Sequence, residues 1–204
     1  MRRVRSIAGL VLLSMALHAP SAEALRLQPR PDWLMGVGLG YGRGTFESPA
    51  GTRASYRGGP AFQLRFAHTL GRHAMLGIHY DTWMREFGEV PTKHRNVQQG
   101  LGLGLTLLPG NPAGASGGIF LRASGGMGWT GIAEKTSIPG EAQGEGERID
   151  EWGFNAAADA GYEFWIARNF AAGLGVCVGY FGIGETLVDR AGFAALVLDL
   201  NLYF

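Results

Sequence analysis

The most regular stretch of the chain is residues 196–204, where apolar and polar positions alternate strictly. Its apolar side is formed by Leu196, Leu198, Leu200, Leu202 and Phe204. Asp199 and Asn201 occupy the other side. Because successive side chains of a β-strand point to opposite faces of the sheet, this pattern predicts a strand with one apolar and one polar face.

Seven further segments alternate in the same way, so the chain contains eight predicted strands. They comprise residues 35–42, 62–66, 76–85, 97–107, 121–133, 152–166 and 170–180. In hydrocarbon every backbone N–H and C=O must be paired, a condition that closed sheets of alternating strands satisfy. The sequence therefore predicts an all-β fold, an eight-stranded antiparallel up-and-down transmembrane β-barrel with its leucine-rich face toward lipid.

The segments between the predicted strands differ in length on the two sides of the barrel. The long ones comprise residues 47–59, 86–95, 134–150 and 185–192. Short turns at 71–73 and 167–169 alternate with them, whereas the link at 109–118 is longer than a tight turn. Long loops on one side and short turns on the other are typical of outer-membrane barrels.

Aromatic residues collect near both ends of the predicted strands, where amphipathic rings would meet the two membrane interfaces. The set predicted near the short turns is Trp33, Phe66, Phe120, Phe164, Trp165, Phe170, Tyr203 and Phe204. The set predicted near the long loops is Tyr56, Tyr80, Trp83, Phe87, Trp129, Trp152, Phe154, Tyr180 and Phe193. Two aromatic belts are therefore expected.

The N-terminus has the features of a secretory signal peptide. Three arginines precede an apolar run at residues 7–17, which is too short to span a bilayer, and Ala22-Glu23-Ala24 matches a small-x-small cleavage site. We expect a signal peptide at 1–24 and a barrel domain at 25–204. Removal of three Arg and Glu23 leaves 15 basic (18 − 3) and 16 acidic (17 − 1) residues. The net charge of −1 makes nucleic acid an unsuitable partner.

Charged residues recur on the strand faces opposite the leucine-rich ones. The predicted luminal set is Arg65, His79, Asp81, Arg85, Arg122, Asp159, Glu163 and Asp199. Mutual pairing would offset the desolvation of these charges, so we expect a salt-bridged network that fills the lumen and fixes strand register. The alternative is a path for protons or ions. Glycine-rich inward stretches at 36–42 and 100–104 favour room for long side chains over a ligand cavity.

No pattern in the sequence indicates catalysis or metal binding. His73, His79 and His94 lack the clustered spacing of a metal site, and the single Cys177 cannot form an internal disulfide. The Gly-x-Gly runs are not followed by a helix, so they are not phosphate-binding loops. We expect no catalytic residues, no metal site and no cofactor.

With its predicted signal peptide, its eight alternating segments and its Leu-x-Leu-x-Leu-x-Leu-x-Phe ending, the chain resembles the small eight-stranded outer-membrane barrels of the OmpA-transmembrane-domain and OmpX type. The resemblance implies location in the bacterial outer membrane, with lipid and lipopolysaccharide as surroundings. It also implies that the barrel-assembly machinery reads the terminal segment as an insertion signal. We expect no peptidoglycan-binding domain.

These features predict a non-enzymatic barrel that serves envelope integrity or surface interaction through its loops, with the surface ligand left open. One alternative is a narrow channel or transporter for small, including apolar, molecules. A second is an enzyme that modifies lipid A, but such enzymes rely on a His and a Ser, and no His-x-Ser occurs here. A secreted lipocalin-like barrel would instead turn the leucines inward.

Overall fold

The computed structural model of the 204-residue chain describes residues 32–71, 73–89, 92–109, 117–136, 144–184 and 188–204. Its strands are β1 (Trp33–Glu47), β2 (Arg53–Thr69), β3 (Ala74–Glu89), β4 (Thr92–Leu107), β5 (Gly117–Thr136), β6 (Gly144–Ala167), β7 (Phe170–Gly182) and β8 (Arg190–Tyr203). They form a closed barrel in chain order, and β8 pairs antiparallel with β1. The predicted eight-stranded antiparallel barrel is confirmed. The predicted signal peptide, 1–24, lies outside the described residues.

The stagger of the strands sets the width of the barrel. Following register partners from Leu34 on β1 once around the barrel leads back to Gly44 on β1, ten residues further along. With ~3.3 Å per residue and ~4.8 Å between strands, this stagger corresponds to a strand tilt of about 40°. The interior of an eight-stranded barrel is just wide enough for side chains to fill, so inward residues from opposite walls meet.

Several strands extend beyond their predicted limits at one end. We call the end that holds Trp33 and Tyr203 the terminal end, and the opposite end the distal end. β5 reaches Thr136 and β6 starts at Gly144, inside the predicted loop 134–150. The predicted extents of the long loops were therefore wrong, because apolar–polar alternation ceases once both faces are solvated, whereas the hydrogen-bonded ladder continues.

The outer surface of the barrel is apolar and its interior polar. Leu103 and Leu196 expose 67% and 63% of their surface, whereas Arg65 and Asp199 expose 5% and 1%. A soluble lipocalin-like barrel requires the reverse distribution, so that alternative is excluded. Within the described ranges, the structure contains no helix of the length and apolar character needed to cross a bilayer.

Aromatic side chains line both edges of the apolar band, but not all of the predicted ones belong to it. At the terminal end Trp33 stacks on Phe66 with ring centroids 5.0 Å apart, and at the distal edge Trp129 stacks on Trp152 at 5.3 Å. Four aromatics predicted for the belts are instead buried: Trp83, Phe120, Phe193 and Tyr203. The alternation of side chains along each strand points these four rings into the lumen, whatever their height along the barrel.

Candidate functional site

The lumen is filled in three successive zones. The polar layer, in the middle, comprises Gln63, Arg65, His79, Asp81, Arg122, Asn155, Asp159, Glu163, Asp199 and Asn201, all buried. The distal cluster comprises Phe46, Ala61, Trp83, Cys177, Phe181, Ile183, Val188, Ala191, Phe193, Ala195 and Val197. The terminal cluster comprises Leu34, Ala67, Met75, Leu108, Phe120, Ala171 and Tyr203. The polar layer is thus enclosed between two apolar clusters.

Asp199 joins the two arginines of the polar layer. Arg65 Nη2 donates to Asp199 Oδ1 at 2.7 Å, and Arg122 Nη1 donates to Asp199 Oδ2 at 2.6 Å. Arg65 Nη2 also donates to Asn201 Oδ1 at 3.2 Å. Short charge-assisted bonds of this kind are the strongest hydrogen bonds in proteins. They connect β2, β5 and β8 across the bore.

Gln63 extends the polar layer to two further carboxylates. Its Nε2 donates to Asp81 Oδ1 at 2.9 Å and to Asp159 Oδ1 at 3.0 Å, and its Oε1 accepts from Arg65 Nη1 at 2.8 Å. His79 Nε2 lies 3.8 Å from Asp81 Oδ1, which is too long for a hydrogen bond. A single neutral amide therefore lies between two buried carboxylates.

Glu163 has separate partners on β8. Its Oε2 accepts from Asn201 Nδ2 at 2.6 Å, and both of its oxygens lie within 2.9 Å of the Tyr203 hydroxyl. Tyr203 belongs to the terminal cluster, so this contact attaches the polar layer to the apolar zone beneath it.

Glycines on β1 provide the space in which these side chains cross. A Cβ on Gly36 would lie 2.6 Å from Asn201 Oδ1 and 2.9 Å from Arg65 Nε. A Cβ on Gly38 would lie 2.8 Å from Gln63 Oε1. Such distances are far below van der Waals contact, so the hydrogen-bonded network depends on glycine at both positions.

The distal cluster is built around Trp83, which is completely buried. A Cβ on Gly59 would lie 2.7 Å from its indole Cζ2, and a Cβ on Gly44 would overlap the same ring. Phe181 and Phe193 pack beside each other with ring centroids 6.2 Å apart. The indole therefore packs against the backbone of glycines on β1 and β2. The cluster closes the distal end of the lumen.

The terminal cluster closes the other end. The rings of Phe120 and Tyr203 are buried there with Leu34 and Met75. The guanidinium carbon of Arg122 lies 3.8 Å from the centroid of the Phe120 ring, at cation–π distance. The polar layer is thereby packed directly on this cluster.

Seven of the eight predicted luminal residues lie in the polar layer. Arg85 is half-buried and lies four residues beyond Asp81, toward the distal end. The sequence prediction did not include the neutral partners Gln63, Asn155 and Asn201, nor the Tyr203 hydroxyl. The alternation along the strands places these residues on the inward face, but the predicted luminal set contains charged residues only.

The His, Cys and acidic side chains of the described residues show no metal-binding arrangement. No group of three or more His, Cys, Asp or Glu side chains there is arranged to hold a metal ion. His79 is buried inside the barrel. Cys177 is a free, buried thiol on the inward face of β7.

No protein-family model matches the chain, and no curated protein sequence matches it. Among solved structures, the chain is similar to Ail, the attachment invasion locus protein of Yersinia pestis, at 14% identity and a TM-score of 0.52, covering 84% of this chain and 99% of that one. Ail in complex with the heparin analogue sucrose octasulfate matches at 13% identity and a TM-score of 0.50, with the same coverage. Neisserial surface protein A matches at 11% identity and a TM-score of 0.49, covering 84% and 96%.

At these identities the similarity concerns the fold, which is that of small eight-stranded outer-membrane barrels. The closed barrel, its apolar outer band and its enclosed polar layer define the same class on physical grounds, because only lipid suits such an outer surface. The chain is a small eight-stranded outer-membrane β-barrel. Its location is the bacterial outer membrane.

Proposed function

We propose that this protein is a non-enzymatic barrel with a closed lumen, which serves envelope integrity or surface interaction through the part that projects from the membrane. The observation that carries the proposal is the filled bore. The barrel supplies a rigid support, and its distal end supplies the contact surface.

The filling of the lumen argues against a conducting pore. The largest fully buried side chains include Trp83 and Phe181 in the distal cluster and Phe120 and Tyr203 in the terminal cluster. Between the two clusters the polar layer is joined across the bore by bonds of 2.6–3.2 Å. A hydrated ion would have to break these bonds and pass two apolar zones, each of which it could cross only by losing hydration.

The distal end is the side on which contact with a partner is proposed. In barrels of this class the short turns face the periplasm and the longer segments face outward. β6 has 24 residues, against the ~9–11 that a tilted strand needs to cross a bilayer. The distal parts of β5 and β6 therefore extend beyond the apolar band, where a partner can reach them.

We also propose the partners that membrane residence implies. Outer-membrane lipid and lipopolysaccharide surround the apolar band. The barrel-assembly machinery reads the outward side chains of the terminal strand during insertion. The surface ligand is left open.

Conductance in a planar lipid bilayer tests the closed lumen. The folded wild-type protein should give no ion-conductance steps at a voltage at which an open porin, reconstituted in parallel, conducts. Reproducible steps from the heat-modifiable, folded form would instead establish the narrow-channel alternative.

Lipid A mass spectrometry tests the non-enzymatic assignment. His79 is enclosed with the polar layer, where no acyl chain can reach it, so lipid A from cells with and without the protein should have identical acylation. A species that gains or loses an acyl chain when the protein is present would contradict the proposal and favour the enzyme alternative.

The two proposed roles are separated by truncation of the β5–β6 projection. A chain that lacks residues 134–147 keeps the membrane-spanning parts of both strands. If the role is surface interaction, binding of intact cells to a surface that wild-type cells bind falls while resistance to detergent is kept. If the role is integrity, only loss of the whole chain raises sensitivity to detergent.

A further inference from the structure

Charges in the polar layer do not balance. Its ionisable acids are the carboxyl groups of Asp81, Asp159, Glu163 and Asp199, and its cationic groups are the guanidinium groups of Arg65 and Arg122, with His79 as the remaining titratable side chain. With the imidazole neutral, four carboxylates face two guanidinium groups. A surplus of negative charge in a region enclosed by apolar side chains is strongly unfavourable.

The surplus falls on two particular carboxylates. Both arginines donate to Asp199, and Glu163 receives bonds from Asn201 and Tyr203. Asp81 and Asp159 share the single Nε2 of Gln63. Arg122 is the register partner of Asp159, yet it forms an ion pair with Asp199.

Each of these two carboxylates also presents an oxygen that nothing satisfies. Asp81 Oδ2 and Asp159 Oδ2 are buried and lack a hydrogen-bond partner among the described residues, and the thiol of Cys177, the register partner of Asp159, is only a weak donor. Their Oδ1 atoms lie 2.9 Å and 3.0 Å from the same nitrogen, so those two oxygens are no more than about 6 Å apart.

Asn155 brings a third unsatisfied oxygen to the same place. Its side chain reaches from β6 past the inner face of β5 to β4, and its amide lies where a Cβ on Gly100 would be. Gly100 is the register partner of Asp81, and directly opposite Cβ positions are about 5 Å apart. Asn155 is 4% exposed, and its Oδ1 has no hydrogen-bond partner among the described residues.

We propose that Asp81, Asp159 and Asn155 bind one hard cation, of the Na⁺ or Ca²⁺ type, in the middle of the lumen. Hard cations take carboxylate and amide oxygens as ligands, and these three side chains present them. The cation compensates the surplus charge that the two arginines leave. The set contains only two carboxylates, so it differs from a site built from three or more acidic, His or Cys ligands.

The position of the site determines how it would act. The distal and terminal clusters enclose it, so the cation enters as the barrel closes and leaves when it opens. A ligand that binds only the folded state lowers the unfolding equilibrium constant by the factor 1 + [L]/Kd. Barrel stability is therefore linked to the cation, independently of any activity of the projecting strands.

The test is equilibrium unfolding by urea in phosphatidylcholine vesicles free of lipopolysaccharide. NaCl or CaCl₂ replaces choline chloride at constant ionic strength, because choline is too large for the site. The wild type should become more stable as one of the two small cations is raised, by about 100-fold in the unfolding constant at 100 times Kd. Asp81→Asn should abolish this dependence, and Asn155→Ala should weaken it.

Asp189→Asn, at an exposed acid on the distal surface, is the control and should keep the full dependence on the cation. Two results would overturn the proposal. One is equal stability of the wild type in sodium, calcium and choline salts, with an infrared carboxylic-acid band that disappears in Asp81→Asn, since a proton then compensates the charge. The other is a cation dependence that survives unchanged in both Asp81→Asn and Asn155→Ala.

Discussion

Single residues differ in how much they contribute to the stability of the barrel, and Asp199 is the clearest example. Two guanidinium groups from different strands converge on its carboxylate, and all three side chains are buried. An exposed ion pair of the same chemistry lies on the distal surface, where Arg190 Nε contacts Asp189 Oδ2 at 3.0 Å. The chain thus contains a matched comparison between a buried and an exposed Asp–Arg contact.

Asp199→Asn should lower the free energy of unfolding by about 3 kcal/mol, because two buried guanidinium groups lose their counter-charge. Asp189→Asn should lower it by less than about 1 kcal/mol, because solvent screens the exposed pair. Urea titration in lipid vesicles, followed by tryptophan fluorescence, measures both. Equal effects of the two substitutions would show that the buried pairing adds nothing to stability.

The contact of Trp83 with Gly59 gives a second prediction at this scale. Gly59→Ala should destabilise the barrel by about 1–3 kcal/mol, because the methyl group overpacks the buried indole and also meets the backbone oxygen of Met84. Gly125→Ala is the control, since a Cβ there would meet only Asn155 O, at 3.7 Å. In a Trp83→Leu background the cost of Gly59→Ala should fall, and a double-mutant cycle measures that coupling. Additive effects would contradict the proposed contact.

At the scale of elements, β8 shows how one strand combines three tasks. Its outward leucines contact lipid, and its inward Asp199 and Asn201 enter the polar layer. Its end also closes the barrel, since Trp33 N donates to Phe204 O at 2.9 Å and Phe204 N donates to Trp33 O at 3.0 Å. The proposed insertion signal is therefore also part of the seam between β1 and β8 that closes the barrel.

The limit of the apolar band can be located on this strand by substitution. Leu198→Arg should cost about 2–4 kcal/mol, because it places a charge on the lipid face near the middle of the membrane. Ala194→Arg, on the same outer face but level with Arg43, should cost about 1 kcal/mol or less. Unfolding in vesicles of phosphatidylcholine measures both. A larger cost at position 194 would show that the band is placed wrongly along the strand.

At the scale of the whole molecule, the barrel is a rigid cylinder whose two ends differ. The terminal end holds the meeting of β1 with β8 and, apart from the nine residues between β4 and β5, short connections, whereas the distal end holds the hairpins that extend beyond the apolar band. The proposed function requires the distal end to face the exterior of the cell.

Epitope insertion tests that orientation directly. A tag at Gly51, in the turn between β1 and β2, should be accessible to antibody on intact cells. A tag at Gly71, in the turn between β2 and β3, should become accessible only after the outer membrane is permeabilised. Both glycines are exposed and have open space where a Cβ would lie, so the two insertions are matched. The reverse labelling pattern would contradict the orientation.

The sequence alone determined the number of strands, their order in a closed barrel and the face that each presents to lipid. This was achievable because a strand with one face in hydrocarbon must alternate with period two, and the signal is local. It also identified the charged inward residues. The extents of the strands beyond the membrane were missed, because solvent on both faces removes the alternation.

Only the tertiary structure decided which inward side chains meet. Gln63 and Asp159 are 96 residues apart in the chain and on opposite walls of the bore, yet they are joined by a hydrogen bond. That contact depends on the stagger of the whole barrel, on the reach of each side chain and on the glycines that leave it room. No local periodicity encodes these quantities, because they arise only when all eight strands close on one another.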